Sequence, residues 1–303
     1  MLKLFYHPLY TDGIDPEARF PRERYALLAR RLRDNPMIEF NQPRQATRDE
    51  LVTAHNPNYV DRFLKGELSD KEARRIGLRP WSMHIVERTL HLMGGSLQAL
   101  DHVLEHGGIA GNMAGGTHHA HYDFGSGYCI FNDLATCALR ALGSPGIERV
   151  LILDLDVHQG DGTASMLADY PAAVTCSVHG SRNFPFRKQR SDIDIGLPCD
   201  TDDTDYLLAV DSVLQRLPLD EFDLLLYQAG VDPLEADRLG RLAVSRHGLD
   251  RRNRQVFEAA AVAEIPTVVF MGGGYAEPIE HTVDAFVDLF TAAAEYDARR
   301  ATT

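Results

Sequence analysis

Two patterns of apolar residues alternate along the chain. Short, predominantly apolar runs of four to six residues occur at Leu2 to Tyr6, Val150 to Leu155, Ala173 to Val178, Leu224 to Gln228 and Thr267 to Phe270. Runs this short and this apolar are strands buried on both faces, the form strands take when helices cover both sides of a parallel sheet. Helical spacing appears instead at Glu23 to Leu32, Glu87 to His102, Ile130 to Leu142 and, after Gly248, Asp250 to Ala263. The alternation predicts an α/β protein with a central, mostly parallel sheet flanked by helices. Such a sheet accommodates all 303 residues as one domain, residues 1–303. The longest stretch without periodicity, Gly180 to Asp205, is rich in charge, Pro and Asp and reads as a functional loop.

Charge narrows the partners. Lys and Arg number 31 against 44 Asp and Glu, a formal net charge of -13, which argues against a nucleic-acid grip because phosphate contacts need clustered basic residues. One local cluster, Arg182, Arg187, Lys188 and Arg190, reads either as a solvated loop or as a rim facing an acidic substrate or a phosphate. The four cysteines form no C-x-x-C pair and are too sparse for a disulfide framework, which suits a reducing cytoplasm. The N-terminal apolar stretch is too short for a signal peptide and no run approaches a bilayer's thickness, so the expectation is a cytoplasmic protein without a membrane partner.

Four segments carry candidate chemistry. In Val150-Leu-Ile-Leu-Asp-Leu-Asp-Val-His158, extended alternation puts Asp154, Asp156 and His158 on one side. Buried carboxylates need a partner, and the carboxyl end of a parallel strand is where open α/β sheets bind ligands. A metal answers the need; an ion-paired strand end is the other reading. Strand Leu224 to Gln228 leads to Asp232, either a third ligand or a turn residue before Pro233. Three protein ligands with an open position mark a catalytic rather than a structural zinc. Gly115-Gly-Thr-His118-His119 places adjacent imidazoles after glycines, for proton transfer or as satisfied core histidines. Asp154 and Asp161 are available to fix their tautomers. Phe270-Met-Gly-Gly-Gly-Tyr275 ends a strand in a glycine loop that either aims a phenol at a substrate or packs it.

Together the four segments resemble the arginase/deacetylase superfamily, and within it the histone deacetylases and their bacterial acyl-amine hydrolase relatives. The resemblance implies the three-layer fold of that superfamily and a zinc-dependent deacylase acting on an acylated amine. It implies zinc, with iron(II) as an alternative, on Asp156, His158 and Asp232, and tandem bases at His118 and His119 with Asp154 and Asp161 as partners. Tyr275 becomes the phenol that polarises the scissile carbonyl, and Gly127, Tyr128 and Phe184 resemble the walls of an acyl-lysine channel. A structural K⁺ or Na⁺ falls near Asp154 and Ser177. The run His158-Gln159-Gly160 is similar to the class IV branch, while Gly127-Tyr-Cys-Ile-Phe-Asn-Asp133 and Asp232-Pro-Leu-Glu-Ala-Asp-Arg-Leu-Gly240 resemble the family pattern as a whole. The alternatives are an arginase-like ureohydrolase with two manganese ions and a protein that binds an acyl-amine or organic acid without turnover.

Overall fold

The structure is a computed structural model and describes residues 1–300. Eight strands build it: β1 (Leu2–Phe5), β2 (Ile38–Asn41), β3 (Ile109–Asn112), β4 (Val150–Asp154), β5 (Ala173–Gly180), β6 (Ile193–Leu197), β7 (Leu224–Gln228) and β8 (Thr267–Phe270). They form one sheet in the order β2-β1-β3-β8-β7-β4-β5-β6, and every neighbouring pair is parallel. All eight carboxyl ends therefore lie along one edge. The central strands β4, β7 and β8 are buried at every position, as their uninterrupted apolar runs require.

Helices cover the two faces. His84–His106 packs on β1, β3 and β8 and against Asp133–Leu142, which lies on β4 and β5. Asp203–Arg216, Arg246–Val262 and Glu280–Arg300 pack in series, and Glu280–Arg300 also touches Glu23–Leu32, β1 and β3. This is the α/β arrangement the resemblance implies. No described helix is long and apolar enough to cross a membrane.

Several elements differ from the sequence reading. The helix expected from Ile130 begins at Asp133, because Asn132 is its N-cap and accepts from the Ala135 amide at 2.9 Å. The helix expected from Asp250 begins at Arg246 after the N-cap Ser245. The segment from Gly180 to Asp205 is not one loop: it contains edge strand β6, whose alternate positions are exposed, and the start of the helix Asp203–Arg216. Strand β4 stops at Asp154, so Asp156 and His158 sit in a bend rather than on one side of an extended chain.

Candidate active site and metal centre

The loops that leave β3, β4, β7 and β8 converge above the carboxyl edge of the sheet. Asp154, the last residue of β4, is in register with Ser177 of β5 and Gln228 of β7. The chain then bends. The Leu155 amide donates to the Gln228 carbonyl at 3.0 Å, and the Asp156 amide donates to Asp154 Oδ1 at 3.1 Å. The His158 amide donates to Asp156 Oδ1 at 3.0 Å. These bonds turn Asp156 and His158 toward Asp232, whose Oδ1 accepts from the Val157 amide at 2.9 Å. The loop after β8 closes the cluster: the Gly273 amide donates to Asp156 Oδ2 at 2.7 Å. A side chain at Gly273 would collide with both carboxylates, so only glycine lets the backbone pass so near.

Asp156, His158 and Asp232 are buried, and one donor atom from each lies within 4.8 Å of the others. His158 Nδ1 is 3.0 Å from Asp156 Oδ1 and 3.1 Å from Asp232 Oδ2. Two buried carboxylates aimed at one imidazole leave an excess of negative charge where desolvation costs several kcal/mol per ion. Burial and the facing Asp156 push the Asp232 carboxyl up to about 7. Burial lowers the His158 pKa, but Asp156 and Asp232 outweigh it and raise it to about 10. A proton on His158 thus offsets the carboxylates, and two oxygens with one nitrogen suit a divalent cation that would take that proton's place. The site fits such an ion.

Beside it, the loop after β3 carries two imidazoles, each tied to a carboxylate. His118 Nδ1 lies 2.7 Å from Asp154 Oδ2, and His119 Nδ1 lies 2.6 Å from Asp161 Oδ1. Asp161 Oδ2 is also 3.2 Å from His121 Nε2. The carboxylates fix both rings with Nδ1–H as donor and leave Nε2 as the working nitrogen. The ring centroids are 4.1 Å apart. For His118, burial lowers the pKa while Asp154 and Asp156 more than offset it, holding it near about 9. Burial and the adjacent His118 push His119 down to about 3, so His119 is the neutral member of the pair.

Tyr275 comes from the loop after β8. Burial pushes its phenol well above the usual range and keeps the hydroxyl proton in place. The Tyr128 ring is 5.9 Å away and the Phe20 ring 6.1 Å. Gly127 and Phe184 flank His119: the Phe184 ring meets it edge-on at 4.8 Å, and a Cβ on Gly127 would lie 2.7 Å from His119 Cδ2. Gly127 also holds φ +53°, a second reason for glycine there. One cavity of about 530 Å³ is lined by His118, His119, Asp156, His158 and Tyr275 together with Gly127, Tyr128 and Phe184. Asp161 lies behind His119, and Ser177 bonds His179 Nδ1 at 3.0 Å.

Three positioning residues escaped the sequence reading. Asp133 accepts from the Gly116 and Thr117 amides and from Ser96, anchoring the loop that carries the histidines. Asp237 accepts from the Tyr275 amide at 2.6 Å and from the Leu239 and Gly240 amides. Arg252 is fully buried and donates to the carbonyls of Leu155, Ala229 and Gly230, tying the loops after β4 and β7 together. Asp133 and Asp237 lie in motifs that the sequence displays; Arg252 sits in a run of polar helix residues that gives no sign of burial.

A model of the histone deacetylase domain matches residues 18–290. The chain belongs to the histone deacetylase family. It is thus a hydrolase of the deacetylase family. An uncharacterized protein of Picosynechococcus sp. is 45% identical over 284 residues, 92% of this chain and 93% of that one. Histone deacetylase 2 of Arabidopsis thaliana is 30% identical over 244 residues, 77% of this chain and 62% of the relative. The acetoin utilization protein AcuC of Staphylococcus aureus is 32% identical over 260 residues, 77% of this chain and 66% of the relative. The chain spans a little under two thirds of these last two proteins.

Proposed function

We propose that this chain hydrolyses the amide bond of N-acyl amines, acyl-lysine among them, at one divalent ion held by Asp156, His158 and Asp232. The observation that carries the reading is that His118, His119, Asp156, His158 and Tyr275 line one cavity, with Asp232 beside His158 and Asp154 and Asp161 bonded to the two imidazoles from behind. Zinc, or iron(II) in its place, would supply positive charge that polarises the amide carbonyl and makes a water more acidic. His119, neutral and with Nδ1–H committed to Asp161, offers Nε2 to take that water's proton. His118, held by Asp154, adds positive charge beside the developing anion. The Tyr275 hydroxyl donates to the former carbonyl oxygen as it gains negative charge. His119 then returns its proton to the amine nitrogen as the C–N bond breaks, giving a carboxylic acid and a free amine. Gly127, Tyr128 and Phe184 would guide the chain that bears the amide. A K⁺ or Na⁺ near Asp154 and Ser177 belongs to the same reading, as does a class IV-like placement from Gln159.

The test is a panel of acyl-lysine peptides, acetyl through myristoyl, with bound metal measured in the same preparations. Wild type should carry one zinc or iron per chain and turn over at least one acyl group. Asp156→Ala should lose both the metal and the turnover. Two manganese ions with release of urea would identify a ureohydrolase instead, and one metal with ligand binding but no turnover a binding protein.

A further inference from the structure

The charges lining the cavity run against those of the chain. The protein carries a formal net charge of -13, yet five arginines line the cavity, and among the described residues Asp156 is its only carboxylate. Two of the five, Arg24 and Arg88, are buried. They donate to backbone carbonyls and share the Tyr25 hydroxyl. The other three, Arg75, Arg182 and Arg241, are exposed at the open end and come from three separate segments.

These three form no ion pair with a carboxylate among the described residues, and Arg75 lies instead over the Phe124 ring at 4.5 Å. Other exposed arginines, such as Arg30, Arg33 and Arg251, also form no ion pair with a carboxylate among the described residues; what sets Arg75, Arg182 and Arg241 apart is that all three line one cavity whose lining holds a single carboxylate. Keeping unmatched positive charge at a cavity mouth while the rest of the surface is acidic concentrates the field where a ligand enters.

We propose that the substrate is an N-acyl amine whose amine portion carries an anionic group, a carboxylate or a phosphate, which the guanidiniums of Arg75, Arg182 and Arg241 receive at the mouth. This rests on the hydrolytic reading above and adds the substrate's charge to it. Guanidinium forks match the planar oxygens of such groups, and a cationic amine such as an acylated polyamine is repelled from the same ring. Each exposed contact contributes little alone, so the selectivity comes from three acting on one group.

The experiment compares isosteres differing only in end charge: N-acetyl-aminohexanoate, N-acetyl-hexylamine and mono-N-acetyl-diaminohexane. An acetyl-lysine peptide with glutamate flanks, one with lysine flanks and a phosphate-ended amide form further arms that separate sources of the anion. Hydroxamates bearing the same three ends are titrated against the zinc-loaded protein, a readout that needs no turnover. Anionic compounds should exceed their cationic isosteres at least about tenfold in kcat/KM and in affinity at low salt. Salt should shrink that ratio, and the combined substitution Arg75→Gln, Arg182→Gln, Arg241→Gln should bring it near one. Turnover with no preference for the anion overturns the charged mouth and leaves the hydrolase reading standing. Anion-selective hydroxamate binding without turnover keeps the mouth and removes the hydrolase. Neither binding nor turnover removes both.

Discussion

At the floor of the cavity each reacting group is held by a group that is itself held. His119 leans on Asp161, which also meets His121, and Asp156 is gripped by the Gly273 amide while Asp232 accepts from the Val157 amide. At the mouth the segment after β5 is anchored at a few points. Phe186 is 89% exposed, and Lys188 bonds back to the carbonyls of Asn183 and Pro185 in its own turn. The difference separates two tasks. Groups that must be ready before the substrate arrives are fixed by buried charge-assisted bonds. Groups that choose among substrates sit where a changed side chain costs the fold little.

The comparison predicts that a change at the floor alters rate without altering selection. Tyr275→Phe removes one donor to the developing oxyanion and should lower kcat by about 10²- to 10³-fold. KM and metal content should stay close to wild type, because the phenol touches neither the ligand set nor the mouth. Steady-state kinetics with metal analysis decides it. A fall in kcat of less than about tenfold would take Tyr275 out of the chemistry and place it among the aromatic wall with Tyr128 and Phe20.

How far the sequence carries depends on the same division. The central strands were legible because burial on both faces leaves an uninterrupted apolar run, as in Val150-Leu-Ile-Leu. The edge strands β2 and β6 were not: one side of each lacks a neighbour, so Glu39 and Asp194 break their pattern. Short β3, Ile-Ala-Gly-Asn, gave too little signal of any kind. At the site, the candidate ligands and the two imidazoles stood out because carboxylates and histidines next to core strands need partners. Asp133 and Asp237 carry no comparable signal, since their partners are backbone amides that only the fold brings near. The three arginines of the mouth lie at 75, 182 and 241 and become a group only in three dimensions.

His55 tests how much the floor's support depends on a neutral ring. It is fully buried, its Nε2 accepts from the Asn132 amide at 2.8 Å, and its Nδ1–H faces the His121 carbonyl at 3.1 Å. Asn132 in turn caps its helix and donates to the Ala120 carbonyl beside the histidine pair. Burial pushes the His55 pKa down to about 4. The folded chain thus resists a proton that the unfolded chain accepts below the ordinary histidine value. Its stabilising contribution is complete above about pH 6.5 and falls away toward pH 4, by about 3 kcal/mol over the window. His55→Gln keeps an acceptor and a donor but does not titrate. Urea unfolding of both proteins across that range should show a steeper acid loss in wild type. Parallel curves would mean that His55 takes up its proton in the fold at the same pH as in the unfolded chain or above it, so that burial does not hold it neutral.

Gln159 marks the boundary between floor and mouth, and it gives the smallest effect with the sharpest reading. It follows His158 directly and is buried, yet its amide turns outward. Its Oε1 accepts from the Gln189 amide at 2.9 Å, and its Nε2 donates to the Gln189 carbonyl at 2.8 Å and to Asp194 Oδ1 at 2.7 Å. Gln159→Ala should release the segment that carries Phe184 and Phe186, raising KM about two- to tenfold while kcat changes less than about twofold, as loss of two neutral hydrogen bonds and one to a carboxylate predicts. Gln159→Glu should be worse, because it removes both donated bonds and sets a second carboxylate against Asp194. Hydrogen exchange at residues 183–190 should quicken in both variants. A fall in kcat at constant KM would show that Gln159 acts through His158 instead, and that floor and mouth move as one piece.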